Sequence, residues 1–140
     1  TDPGNSLMPT TVSTFDHLNN SIYIHSSRGY TRDGQIKPDL AAPGVRVQGP
    51  AVQQENKAGT TLPVLTWRTG SSVAAAITAG AAAVLLSWGI ASGNEKSLTS
   101  TSLKATLIRG ADRNPGFSWP NRQWGFGTLN LYQSFLQMRE

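Results

Sequence analysis

The chain has 140 residues, no cysteine and a formal net charge of +4. This length suits one domain with its own core, and the lack of cysteine excludes a disulfide-stapled scaffold and a thiolate metal site. The twelve basic residues are scattered without a run or a helical stripe, which argues against a nucleic-acid-binding surface.

The first half of the chain predicts short strands separated by turns and loops. The start has no signal-peptide pattern and no initiator Met, as expected of a cut or truncated chain. Apolar and β-branched residues in short runs, bounded by Asn, Gly and Pro, are typical of strands. The predicted strands are 7–16, 21–25, 37–44 and 64–67, with Val45 and Val47 as a possible extension, a turn at 17–20, and loops at 26–34 and 49–61.

The second half predicts helices. No charged residue occurs between Thr69 and Asn94, and glycines end this apolar stretch. The predicted helices are 73–90, 98–109 with Thr99 or Ser100 as its cap, and 130–139, with a loop at 112–127 between the last two. Strands followed by a buried and an amphipathic helix indicate an α/β fold. The strands are too few for a complete doubly wound sheet, which indicates a truncated domain.

The uncharged stretch reaches the length of a membrane span. Its content is mostly Ala and Gly, with Thr78 and Ser87 inside and no flanking basic cluster. Such residues gain little from lipid, so we interpret the stretch as a packed helix of a soluble domain and expect no membrane partner. A membrane-anchored helix protein is the alternative interpretation.

Ser72 follows a Thr-Gly-Ser turn at the predicted start of this helix. The ordinary explanation of a serine in this place is helix capping. The chemical alternative is a nucleophile on a sharp turn, with its own backbone N–H at the positive end of the helix available to an oxyanion. The pattern Gly-x-Ser-x-Ala alone does not decide between them.

Three blocks in order resemble those of the subtilases, the subtilisin-like serine proteases of peptidase family S8. The nucleophile block is TGSSVAAAITAGAAAVLL from Thr69; the others are SSRGYTRDGQIKPDLAAPGV from Ser26 and WGFGTLN from Trp124. The sequences of these blocks are most similar to those of clostridial subtilases, a group that includes spore-germination proteases. Chance matching of three ordered blocks is very improbable.

This resemblance implies the C-terminal portion of a doubly wound, mostly parallel sheet with a central buried helix, spanning residues 1–140. It implies Ser72 as catalytic nucleophile, with Thr69, Gly70 and Ser71 beside a bound peptide substrate. Ser71 stands where the family usually has Thr, Ile77 where it has His and Val73 where many members have Met. These departures affect substrate preference and leave the nucleophile in place.

Serine proteolysis also needs a base and an orienting carboxylate. The resemblance places both in upstream motifs, an Asp-Thr/Ser-Gly and a His-Gly-Thr, which do not occur here, and the oxyanion Asn is also upstream. Asp16, His17 and His25 precede Ser72 in a formal Asp…His…Ser order, but we interpret both histidines as surface or hydrogen-bonded residues. No His follows Ser72, so the order of an α/β-hydrolase is excluded. For Asp39 we expect a structural hydrogen-bonding role.

The sequence therefore predicts a fragment of a serine endopeptidase, inactive alone, whose partners are a peptide or protein substrate and the N-terminal part of the same domain. A pseudoprotease that uses the fold for binding or signalling is the alternative. The isolated chain should oligomerise, swap elements or need its complement, because missing strands leave an open sheet edge. No metal or cofactor motif is visible, and the calcium sites common in the family transfer to no residue here. Family resemblance suggests a protein that is secreted or associated with the spore or cell envelope.

Overall fold

The computed structural model describes residues 3–51 and 65–139. Its strands are β1 (Val12–Asp16), β2 (Ser21–Ile22), β3 (Leu40–Pro43), β4 (Val47–Pro50) and β5 (Leu65–Arg68). Its helices are α1 (Ser71–Leu86), which continues into a π-helical turn at Ser87–Ala91, α2 (Ser100–Arg109) and α3 (Leu131–Gln137).

Strands β1 and β3 form a parallel pair at the centre of the described structure. Their register runs from Val12 opposite Leu40 to Phe15 opposite Pro43, and β2 joins the other side of β1 as an antiparallel strand. Strands β4 and β5 form a separate antiparallel hairpin. Because β1 and β3 run in the same direction, their carboxyl ends meet at one edge, where ligand sites of parallel sheets usually lie.

Neighbouring side chains along β3 point to opposite faces of the sheet and belong to two hydrophobic cores. Leu40 packs with the helices in a cluster that contains Leu85, Leu103, Leu107 and Ala111. Its neighbour Ala41 faces the other way and packs with Phe15 and Trp124, as the alternation of side chains along a strand requires. The parallel pair is therefore covered by helices on one face and by the aromatic loop of residues 112–127 on the other.

The two lateral edges of the β1–β3 pair differ in how they are hydrogen-bonded. On the far side of β3, Ala41 donates to the carbonyl of Gly127 and accepts from the N–H of Leu129, so the C-terminal segment closes that side. On the outer side of β1, the register with β2 covers only Phe15 and Asp16, and Thr14 bonds to Tyr23 and Ser26. Val12 lies before this pairing, where a further strand could add to β1.

The observed strands are shorter than the predicted ones. The strand predicted at 7–16 begins only at Val12, after Pro9, and the one at 37–44 begins at Leu40, after Pro38. Proline has no N–H for a ladder. Within the run 21–25 only the first two residues form a strand, and Gly49 and Pro50 belong to β4 rather than to a loop. The remainder of the predicted loop, 52–61, and residue 64 of the next predicted strand lie outside the described residues.

The predicted helices are confirmed, with shifted ends. Helix α1 begins at Ser71 rather than at residue 73, and its regular part ends before the π-helical turn. Thr99 caps α2 through a reciprocal pair of bonds with Ser102, so residue 98 precedes the helix, and Asn130 caps α3. Each cap satisfies N–H groups that the first helical turn leaves free.

Helix α1 is buried on one face only. Ala74, Thr78, Ala81 and Leu85 are buried, whereas the opposite side exposes small apolar residues, Ala75, Ala76, Ala79, Gly80, Ala83 and Val84. The helical stretch Ser71–Ala91 is long and apolar enough to cross a membrane by length and composition, and 28% of its most apolar window is buried. The exposed face continues into a cavity of about 320 Å³ lined by Met8, Ala79 and Leu103, among others.

Candidate active site

The start of α1 lies against the carboxyl end of β3. The N–H of Gly70 donates to the carbonyl of Gly44 at 2.8 Å, and Gly70 is extended with φ 158° and ψ 162° as the residue before the helix. Ser71 and Ser72 form the first residues of α1, and both are exposed. The sequence therefore delivers a serine to the edge of a parallel sheet, at the positive end of a long helix.

The hydroxyl of Ser72 does not cap this helix. The residue in the capping position is Gly70, and no side-chain hydrogen bond caps the start of α1. By contrast, Thr99 and Asn130 use their side chains to cap α2 and α3. The ordinary explanation for a serine at a helix start therefore does not apply to Ser72, whose exposed hydroxyl is available for chemistry.

The turn requires glycine at position 44. A Cβ added there would lie 2.5 Å from Cγ2 of Thr14, 2.8 Å from the carbonyl oxygen of Gly70 and 3.2 Å from Cβ of Ala74. These neighbours belong to β1, the turn and α1, so Gly44 is where the three approach most closely.

We predict that Gly44→Ala destabilises the fold by about 1–3 kcal/mol, the usual cost of forcing extra volume into a packed site. Urea unfolding of the full-length protein, followed by circular dichroism, measures this loss. The matched control is Gly49→Ala, since nothing lies within 4 Å of a Cβ added at Gly49. An equal loss in both variants would contradict the proposed close approach.

Asp16 and Arg46 connect β1 to the turn at residues 69–72, which we call the nucleophile turn after the role predicted for Ser72. One guanidinium nitrogen of Arg46 lies 3.1 Å from Oδ2 of Asp16, and the backbone N–H of Arg46 donates to Oγ1 of Thr69 at 2.9 Å. The N–H of Leu18 donates to the other oxygen of Asp16. That bond, followed by the bond and charge of Arg46, holds the pKa of Asp16 below its ordinary value. Sequence reasoning missed Arg46, because only the fold brings it to Asp16.

The two histidines are on the surface, as predicted. His17 is exposed in the turn after β1, and His25 is exposed with its ring 5.2 Å from that of Tyr23 in an edge-to-face contact. In residues 3–51 and 65–139 no group of three or more acidic, His or Cys residues gathers to hold a metal ion.

Asp39 has the structural role predicted for it. Its carboxylate lies 2.8 Å from the ammonium groups of both Lys37 and Lys104 and accepts the N–H of Thr11 at 2.7 Å. The same lysines donate to the carbonyl of Pro9. The Lys-Pro-Asp motif thus fastens the segment before β1 to β3 and α2.

A second cavity lies outside this site. It has a volume of about 540 Å³ and is lined mainly by the aromatic loop, including Asp112, Phe117 and Trp119. None of residues 69–72 contributes to it. Its size is typical of a ligand pocket, but Ser72 does not line it.

A model of the subtilase family matches residues 1–127. Among solved structures, the CspB protease of Clostridium perfringens is 28% identical with a TM-score of 0.81, and the match covers 99% of this chain and 28% of that one. The prenylagaramide maturation protease PagA is 22% identical with a TM-score of 0.71, over 98% and 45% of the chains. Fervidolysin, a keratinolytic enzyme of Fervidobacterium pennivorans, is 20% identical with a TM-score of 0.70, over 96% and 20%. No curated protein sequence matches.

These matches confirm the predicted resemblance and the α/β fold class of a C-terminal subtilase portion. The two structures below 25% identity support the fold alone. In each of the three, the chain spans less than half of the length of its relative. The exposed face of α1 agrees with this partial coverage.

Proposed function

Because the chain belongs to the subtilase family, we propose that it is the C-terminal part of a serine endopeptidase with Ser72 as its nucleophile. The observation that carries the proposal is the exposed hydroxyl of Ser72 at the start of α1, in a helix that no side chain caps. Its place at the carboxyl edge of a parallel strand pair is where α/β folds hold their ligands.

In the proposed reaction, Oγ of Ser72 attacks the carbonyl carbon of the scissile peptide bond while a base from the rest of the domain takes the hydroxyl proton. The resulting oxyanion would accept the backbone N–H of Ser72, which lies in the first helical turn and has no partner within the helix. Collapse of the tetrahedral intermediate leaves an acyl-enzyme on Ser72, while the protonated base gives its proton to the leaving amine. Water then hydrolyses this ester, which releases the acid and restores the hydroxyl of Ser72. Thr69, Gly70 and Ser71 would line the bound peptide.

The proposed partner of this chain is the N-terminal part of the same catalytic domain. Two features support it: the start of β1 at Val12, which β2 does not reach, and the exposed small-residue face of α1. Small residues let a neighbouring backbone approach closely, and their apolar surface gains free energy when it is buried. We therefore assign the α1 face to contact with protein rather than with lipid.

We predict that the isolated chain neither hydrolyses a chromogenic peptide nor reacts rapidly with a fluorophosphonate probe. A serine without its base loses orders of magnitude in rate. The measurement compares the isolated chain with the full-length protein at equal concentration, and probe labelling of the full-length protein is the positive control. Turnover by the isolated chain at the full-length rate would contradict the need for an upstream base.

The same samples test the partner. We expect light scattering to show an oligomer for the isolated chain, because the α1 face and the start of β1, which β2 does not reach, remain uncovered. Adding the separately produced N-terminal part should convert it to a one-to-one complex that labels with the probe. A clean monomer that does not bind the N-terminal part would contradict this assignment.

A further inference from the structure

Arg46 has an unusual backbone conformation close to the nucleophile turn. Its φ is +50°, in the left-handed region that residues with a side chain rarely adopt. Such conformations persist only where the surrounding contacts impose them, and they concentrate at functional sites. Arg46 follows β3 and precedes β4, so it stands where the chain leaves the parallel pair.

Two contacts hold Arg46 in this conformation. Its side chain reaches back to Asp16 at the end of β1, with 3.1 Å between the guanidinium and the carboxylate. Its main chain reaches forward, because its N–H donates to Oγ1 of Thr69 at 2.9 Å. Arg46 therefore connects the rigid end of the sheet with the residue three positions before Ser72.

We propose that Asp16 and Arg46 are positioning residues that fix the Thr69–Ser72 turn in the geometry needed for attack by Ser72. The inference rests on the proposed function. In this role Asp16 holds the guanidinium, the ion pair sets the left-handed backbone of Arg46, and the backbone N–H then fixes the hydroxyl of Thr69. Neither charged side chain needs to touch the substrate.

The exposure of the pair favours positioning over stabilisation. The Arg46 side chain is 59% exposed, and ion pairs so open to water contribute little to the free energy of unfolding. The Asp16 carboxylate is only 10% exposed and also accepts the N–H of Leu18, so it is a fixed anchor for the more exposed guanidinium. A small displacement of a nucleophile is costly in rate although it is cheap in stability.

The test uses the full-length protease that contains this chain. Asp16→Asn removes the carboxylate charge, and Arg46→Asn removes the guanidinium while it keeps a residue type that tolerates positive φ. We expect each to lower kcat by about 10- to 100-fold, the cost of a misplaced reacting group, with KM and the unfolding midpoint close to those of the wild type. Arg46→Lys should recover part of the loss, and the double variant should be no slower than either single one.

Thr69 gives a second pair of variants that tests the same connection. Thr69→Val keeps the shape of the side chain but cannot accept the N–H of Arg46, whereas Thr69→Ser retains the hydroxyl. We expect a loss of kcat for Thr69→Val comparable to that of Arg46→Asn, and recovery of most of it in Thr69→Ser. Arg32→Asn, at an exposed loop position, is the control for removal of a positive charge and should leave kcat unchanged.

The outcomes separate this inference from the proposed function. An active wild type whose kcat is insensitive to Asp16→Asn, Arg46→Asn and Thr69→Val would overturn the inference alone. So would losses that follow a falling unfolding midpoint in all three variants, since these would indicate a merely structural role. A full-length wild type that neither cleaves peptides nor labels with fluorophosphonate would overturn the proposed function, and the inference with it.

Discussion

Under the proposed function, replacing Ser72 by alanine in the full-length protein that contains this chain should lower kcat by about six orders of magnitude, the loss known for the nucleophile of a related triad. The physical reason is the removal of the only atom that would form the acyl-enzyme; the residual rate comes from substrate binding and oxyanion contacts. KM should change little, because the lost interaction belongs to the chemical step. Initial rates on a chromogenic peptide measure both constants.

Ser71→Ala is the matched control for this experiment. Ser71 is the neighbouring serine, it is equally part of the first turn of α1, and it is exposed like Ser72. Because neither hydroxyl caps the helix, removing either should change the free energy of unfolding by no more than about 0.5 kcal/mol, as at other surface positions. Because Ser71 is proposed to line the bound peptide, its removal should act on KM, and the comparison of kcat separates the chemistry of Ser72 from stability.

Probe labelling gives an independent measurement. The fluorophosphonate should form a covalent adduct with the wild type and with Ser71→Ala, and peptide mass spectrometry should place the adduct on Ser72. An adduct on Ser71, or catalysis that survives Ser72→Ala and is lost in Ser71→Ala, would show that the nucleophile had been assigned to the wrong serine.

Local sequence patterns were sufficient to place the three helices, although not their exact ends. The apolar stretch after Gly70 and the Thr99 cap are encoded in neighbouring residues, so they could be identified without the fold. The close approach of Gly44 to Gly70 joins two parts of the resemblance that are distant in sequence. The family pattern indicated both glycines, but only the structure shows that they meet.

The contacts that complete the site could not be predicted in this way. Arg46 and Asp16 are 30 positions apart, and an isolated arginine in a turn carries no sign of a positive φ. The π-helical turn at the end of α1 also has no sequence signal that the helix pattern would reveal. Strand β2 ends at Ile22, although the N–H of Tyr23 still donates to Thr14 of β1 and the apolar run continues to Ile24. Each of these features depends on what the fold places opposite the residue.

Replacing Asp39 by asparagine should lower the free energy of unfolding by about 3–5 kcal/mol, the cost of removing one partner from a buried ion pair. The side chains of Lys37 and Asp39 are only 6% and 5% exposed. Without the carboxylate, the ammonium of Lys37 remains buried with carbonyl and hydroxyl partners alone. A loss of this size is a large part of the 5–15 kcal/mol that typically stabilises a domain. Urea unfolding of the full-length protein measures it.

Two variants define the origin of this loss. Asp33→Asn, at an exposed loop position, should stay within about 0.5 kcal/mol of the wild type. Lys104→Met should cost less than Asp39→Asn, because Lys104 is 16% exposed and its removal leaves Asp39 still paired with Lys37. A result in which Lys104→Met is the more damaging change would contradict the central place given to Asp39.

Asp39→Asn should also loosen the segment before β1 under conditions where the rest of the fold remains closed. Lys37 and Lys104 both donate to the carbonyl of Pro9, and Lys104 also donates to that of Leu7, while Asp39 accepts the N–H of Thr11. Hydrogen exchange at Thr11 should therefore accelerate in Asp39→Asn under conditions where the amides of α2 remain protected. Because this cluster does not include the nucleophile turn, kcat per folded molecule should remain close to that of the wild type. A stable Asp39→Asn protein with slow exchange at Thr11 would show that the lysines hold this segment without the carboxylate.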